Sequence, residues 1–121
     1  MPRQNNYAVG MRGQTEAEAH LTQKGYEILR KNYRLRSGEI DLIAKTGSYI
    51  VFVEVKYRKG LSLGYPAESV NAFKQRKIIK TARHYISSNN LTDQDFRFDV
   101  VEVLELGGET TVNHIEDAFW A

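Results

Sequence analysis

Four residues of this sequence have the types and spacing for phosphate or metal chemistry: Glu39, Asp41, Glu54 and Lys56. They flank Thr46-Gly47-Ser48-Tyr49, a turn signal between two largely apolar runs. If Gly47 and Ser48 are the central pair of a type II′ turn, Thr46 faces Tyr49 and opposed residue numbers sum to 95. Asp41 then lies across from Glu54 and Glu39 across from Lys56, one polar cluster at the open end of a hairpin. A three-residue loop would reverse the parity and separate the two carboxylates. Two ionised carboxylates about 5 Å apart repel by roughly 3 kcal/mol at an effective dielectric near 20. Neighbouring Ile, Leu, Val and Phe side chains raise that cost. A divalent cation resolves the conflict, and oxygen ligands suit Mg²⁺ or Mn²⁺. Lys56 can hold a phosphate oxygen or lower the pKa of an attacking water. The alternative is a strand end reaching solvent, with Glu39–Lys56 and Glu54–Lys56 as surface pairs.

The elements that would position these groups follow from periodicity. Residues 1–12 are polar and expected to be flexible. Residues 13–24 read as a helix, with Ala17 and Leu21 on one face and Gly25 as its stop. Tyr26–Arg36 and Gly38–Lys45 read as strands. Ile50–Lys56 is apolar on both faces up to Glu54, the mark of a central strand. Residues 59–67, with Gly60, Gly64 and Pro66, read as a loop. From Glu68 to about Ser88, Val70, Ile78, Ile79, Ala82, Tyr85 and Ile86 share one helical arc, opposite Arg76, Lys77, Lys80 and Arg83. Phe96–Leu106 and Thr110–Ile115 are strands around a Gly107-Gly108 turn. The result is one α/β domain over residues 1–121, with a mixed central sheet of about five strands and two main helices.

Length and composition bound the functions. The chain has 121 residues, no cysteine, and 26% charged residues, which suits one globular domain and excludes disulfides, thiolate metal sites and cysteine nucleophiles. No apolar run reaches the roughly 20 residues a membrane span needs. The N-terminus has no signal-peptide core, so the expectation is a cytoplasmic protein with no membrane partner. Lys and Arg outnumber Asp and Glu 16 to 7 over residues 1–83 but are outnumbered 8 to 1 thereafter. A polyanion ligand on the basic part is one reading; oppositely charged solubilising faces are the other.

Gly38-Glu39-Ile40-Asp41-Leu42-Ile43 followed by Phe52-Val53-Glu54-Val55-Lys56-Tyr57-Arg58 closely resembles the YraN family of small bacterial proteins. Gly10, Gly13, Ala17, Leu21 and Gly25 match its first helix, Asn32-Tyr33-Arg34 the stretch before the hairpin, and Arg97-Phe98-Asp99-Val100 the strand after the second helix. That family looks like a branch of the PD-(D/E)xK nucleases, with their restriction-endonuclease-like and Holliday-resolvase-like fold. The resemblance implies that Asp41 and Glu54 are metal carboxylates for Mg²⁺ or Mn²⁺ and that Lys56 is the catalytic lysine. The sequence departs at Gln14, where relatives usually carry Glu. Glu18, one turn later on the same helix face, is the substitute metal ligand, whereas Glu16 points away. In the nuclease-like fold the second helix flanks the site. Gln75 and Lys74, polar residues within its apolar arc, are therefore read as site or phosphate contacts.

Arg34, Arg36, Arg58, Lys74, Arg76, Lys77 and Lys80 are the candidate nucleic-acid contacts. Arg30, Lys31 and Arg83 extend the same basic stretches. His20, His84 and His114 lack metal-ligand spacing and read as ordinary, and Arg97 with Asp99 reads as a local ion pair. Three functions remain open. One is a metal-dependent nuclease acting on DNA, with branched or damaged structures among its candidate substrates. Another is a non-catalytic nucleic-acid-binding module. The third is an assembly protein pairing through its strands. A homodimer stays open in each.

Overall fold

The computed structural model describes residues 6–60 and 70–121, with side chains from residue 11 onward. Among the described residues seven elements follow one another: α1 (Asn6–Gln23), β1 (Glu27–Leu35), β2 (Gly38–Thr46), β3 (Tyr49–Lys59), α2 (Ala72–Ser88), β4 (Asp95–Leu106) and β5 (Glu109–Phe119). The strands form one five-stranded sheet in chain order. Only β3 and β4 run parallel, so the chain must cross over between them through α2; the other neighbours are antiparallel. This is the α/β architecture expected from the periodicity.

Each helix covers one face. Ala17 and Leu21 of α1 pack with Leu42, Ala44, Val51, Val53, Val101 and Val103. Ile78, Ala82 and Tyr85 of α2 pack with Ile40, Ile43, Ile50, Phe52, Phe98 and Val100. Alternation along β3 sends Ile50 and Phe52 to α2 and Val51 and Val53 to α1. Such a strand must be central, and β3 pairs on both sides.

Three boundaries differ from the sequence reading. Helix α1 begins at Asn6, seven residues before the start at residue 13 that the sequence suggests. Two interior glycines argue against a helix by propensity, but tertiary packing requires one of them. A Cβ on Gly13 would lie 2.7 Å from Tyr57 Cβ, so Gly13 lets α1 lie directly on β3. Helix α2 begins at Ala72, because Asn71 Oδ1 accepts the Lys74 N–H at 2.9 Å and ends the extended segment there. Val70 is buried as expected, but just ahead of the helix. The last strand runs four residues past Ile115, through an irregularity opposite Phe98–Val100 that periodicity cannot anticipate. Residues 61–67 of the expected loop and the helical reading of residues 68–69 lie outside the described residues.

Candidate active site

The hairpin register sets the geometry. Leu42 faces Val53, Ile43 Phe52, Ala44 Val51, Lys45 Ile50 and Thr46 Tyr49, the register a two-residue Gly47-Ser48 turn demands. Gly47 has φ +57° while Ser48 keeps an ordinary negative φ, as a type II′ turn requires. Pairing of β2 with β3 stops at Leu42–Val53, one step short of Asp41 and Glu54. Beyond that point β3 stays with β4 as far as Lys59, and β2 stays with β1 as far as Gly38. The sheet forks.

Asp41 sits in the crotch of that fork. Ile40 packs on the α2 side and Leu42 on the α1 side, so strict alternation breaks at Asp41. Its side chain bridges the gap instead: Oδ2 accepts the Val55 N–H at 2.8 Å, in place of a ladder carbonyl. On the facing strand β1, Asn32 takes a left-handed φ of +52° between the pairs Lys31–Leu42 and Tyr33–Ile40, so both strands reset together.

Asp41 and Glu54 line one cleft of about 250 Å³ with Gly38, Glu39, Lys74, Lys77 and Ile78. Glu54 is buried, and its Oε1 receives Lys74 Nζ at 3.2 Å and Lys56 Nζ at 3.4 Å. Asp41 is pushed up to about 7, first by burial and then by the Glu54 charge. The Lys56 ammonium is held below its ordinary value, first by burial and then by its contact with Lys74. Burial also pulls on Lys74, but the Lys56 contact and the two carboxylates outweigh it and hold its pKa above the ordinary value. The closest of these contacts fall on Asp41 Oδ2 and Glu54 Oε1, and Asp41 Oδ1 and Glu54 Oε2 are the oxygens beside them.

Those two oxygens decide whether a divalent cation fits. Mg²⁺ is commonly held by one or two carboxylates, with waters and substrate phosphates completing the shell. A half-protonated carboxyl beside a buried carboxylate is the donor set such an ion would settle. The residues fit, with Asp41 and Glu54 as the ligands. No group of three or more metal-ligating side chains occurs among the described residues.

The remaining site residues are dispersed. Gln14, Ala17 and Leu21 are buried on one face of α1, with Glu18 half-buried beside them and Glu16 exposed, as expected. Glu18 is ion-paired to Lys31 at 3.1 Å and is not on the cleft wall. Gln75 donates through Nε2 to the Val70 carbonyl at 2.9 Å, closing the start of α2 rather than lining the cleft. Glu39 does not meet Lys56, because the ladder has ended; it pairs with Arg34 at 3.1 Å. Lys77 lies over the exposed Phe73 ring at 5.0 Å and lines the cleft. Arg36 and Lys80 line a neighbouring open depression with His84. Arg76 is exposed on α2 and Arg58 half-buried on β3.

One cluster exceeded its sequence reading. Asp99 is fully buried on β4 and gathers Arg97 at 2.8 and 2.9 Å, His114 Nε2 at 2.6 Å and the Asp117 N–H at 3.0 Å. Arg97 continues to the Tyr26 hydroxyl at 2.7 Å, and Lys24 approaches His114 Nδ1 at 2.7 Å. Burial raises the Asp99 pKa, but the His114 and Arg97 hydrogen bonds overcome it and hold the group below its ordinary value. The Arg97–Asp99 ion pair is as expected; His114, read as ordinary, is a buried member of the knot. The alternation of 97 and 99 on one strand was the available signal, whereas a partner 15 residues away on β5 needed the β4–β5 register.

A single α/β domain, whose mixed sheet forks over a cleft lined by Glu39, Asp41, Glu54, Lys74 and Lys77, defines the class of protein. The chain belongs to the uncharacterised protein family UPF0102, whose sequence model matches residues 13–103. The YraN resemblance read from its motifs therefore holds. It is 50% identical over 115 residues to a UPF0102 protein of Clostridioides difficile, covering 95% of this chain and 99% of that one. A UPF0102 protein of Caldanaerobacter subterraneus is 45% identical over 122 residues, covering 98% and 100%. Among the described residues no helix is long and apolar enough to cross a membrane.

Proposed function

We propose that this protein is a divalent-cation-dependent phosphodiester hydrolase acting on nucleic acid, of the PD-(D/E)xK type that its motifs resemble. The observation that carries this reading is Asp41 and Glu54 meeting in one cleft at the fork, with Lys56 on the same carboxylate. Asp41 Oδ1 and Glu54 Oε2 would hold Mg²⁺ or Mn²⁺, which would supply Lewis-acid stabilisation of phosphoryl oxygens and a more acidic water. Lys56, held in place by Glu54, is the chain's own donor toward the reacting phosphate. Its lowered pKa lets it pass a proton more easily than a free lysine. Asp41 is fixed by the Val55 N–H, so one oxygen is aimed while the other stays available. Lys77, with Arg36, Arg76 and Lys80 on the adjoining surface, would hold the backbone.

The test is cleavage of duplex, flap, junction and single-stranded DNA with Mn²⁺ present. Wild type should cut at least one of these, and Asp41→Asn, Glu54→Gln and Lys56→Met should each lose about a hundredfold or more in rate. No cleavage by wild type, with binding retained, would replace this reading by the nucleic-acid-binding module. Gln14, the neutral residue in place of a family glutamate, is the feature that favours that second reading.

A further inference from the structure

Resting on that reading, we propose that Lys74 is the cleft's internal counter-cation, which an incoming divalent ion must displace from Glu54 and which then turns to the substrate phosphate. Lys74 Nζ lies 3.2 Å from Glu54 Oε1, on the wall of the cleft that Asp41 also lines. With Asp41 ionised, Asp41, Glu54, Lys56 and Lys74 already sum to zero charge. A divalent ion added to this set leaves a net charge of +2 in a partly desolvated site, which repulsion opposes unless a lysine withdraws or an anion arrives. The two lysines are not equally free to leave. Lys56 projects from central strand β3 with 16% side-chain exposure, whereas Lys74 starts the first turn of α2 and is 42% exposed.

The Lys74 backbone is anchored independently of its side chain, by its N–H to Asn71 Oδ1. The ammonium can therefore swing on its flexible stem without unwinding the helix. On the same wall stands Lys77, one turn along α2, engaged with Phe73 and, among the described residues, with no carboxylate. A phosphate entering with the metal ion would meet the released Lys74 beside Lys77. Lys74 thus suppresses metal occupancy when substrate is absent and rewards it when substrate is present. By linkage, metal and nucleic acid should raise each other's affinity by one common factor.

The experiment is calorimetric titration of Mn²⁺ into the full chain without nucleic acid, for wild type, Lys74→Met, Lys74→Gln and Lys45→Met, the last an exposed lysine at the turn end of the hairpin, away from the cleft. Both Lys74 variants should bind Mn²⁺ about tenfold or more tightly than wild type, with Lys45→Met within about twofold of wild type. Repeated with a non-cleaved phosphorothioate oligonucleotide present, the gain in Mn²⁺ affinity from nucleic acid should be largest in wild type and shrink in the Lys74 variants. Unchanged or weaker Mn²⁺ binding in the Lys74 variants overturns the displacement while the metal site stands. An equal gain in Lys45→Met also overturns it, because a general field effect would then suffice. No Mn²⁺ binding in any protein overturns both this inference and the metal-dependent reading. Circular dichroism of each variant verifies that the fold is retained.

Discussion

At the scale of single residues, the two polar clusters make opposite use of burial. Asp41 is raised to about 7 from an ordinary 3.8, first by desolvation and then by Glu54. A carboxyl raised on folding contributes stability in full below its unfolded pKa and loses it as pH climbs through the folded one. Asparagine keeps the oxygen that accepts the Val55 N–H but cannot ionise. In metal-free buffer, Asp41→Asn should gain on wild type between about pH 4 and 7, by on the order of 2–4 kcal/mol. Denaturant melts at pH 4 and pH 7.5 check this, and an equal difference at both would count against the raised pKa. Asp99 sits in the reverse situation, satisfied by Arg97, His114 and the Asp117 amide. Asp99→Ala removes the fully buried carboxylate that Arg97, His114 and the Asp117 amide share, leaving the half-buried guanidinium only Tyr26 and Glu116, so it should lower stability by about 3–5 kcal/mol. Urea melts at neutral pH measure that loss, and a change under 1 kcal/mol would show that water replaces the carboxylate.

Among the elements, the β2–β3 hairpin was the most legible, because turn chemistry and parity act locally. The Gly47 turn gave the register of five residue pairs, but the ladder ends before Asp41 and Glu54, which share a cleft at the fork instead of a ladder rung. Two other features were invisible for a physical reason: they depend on contacts between elements far apart in sequence. The early start of α1 is stabilised against its glycine content by contact with Tyr57, and the His114–Asp99 bond needs the β4–β5 pairing. Gln75 was misassigned because a polar residue at a helix start has two outlets, and here the Val70 carbonyl takes it. The Gly13 contact yields its own expectation. Gly13→Ala would gain helix propensity of about 1 kcal/mol in open solvent, but its Cβ would strike Tyr57 Cβ. The substitution should therefore destabilise, by about 1–3 kcal/mol as overpacking does. A rise in melting temperature would mean that α1 shifts freely on the sheet.

For the whole molecule, the sequence supplied the charge division and the structure trims what it can do. Ten Lys and Arg were candidate phosphate contacts, yet Lys31 is paired with Glu18, Arg34 with Glu39 and Lys74 with Glu54. Arg36, Arg76, Lys77 and Lys80, the four proposed to hold the backbone, make no ion pair among the described residues. With about four contacts, the logarithm of nucleic-acid affinity should fall with the logarithm of salt with a slope near −3 to −4. Fluorescence anisotropy across a salt series measures it, and a slope near zero would remove the backbone-binding role of this surface.

The bond from Val55 to Asp41 also makes the chain its own gauge. It is the one clasp described across the sheet's parting, and it joins a main-chain amide to the side chain on which the chemistry depends. Whatever spreads the two arms, or draws Asp41 away, frees that single amide while its neighbours in the parallel pairing with β4 stay locked. Amide exchange at Val55, followed against Glu54 and Lys56, would therefore read the condition of the cleft residue by residue, with no label and no substrate.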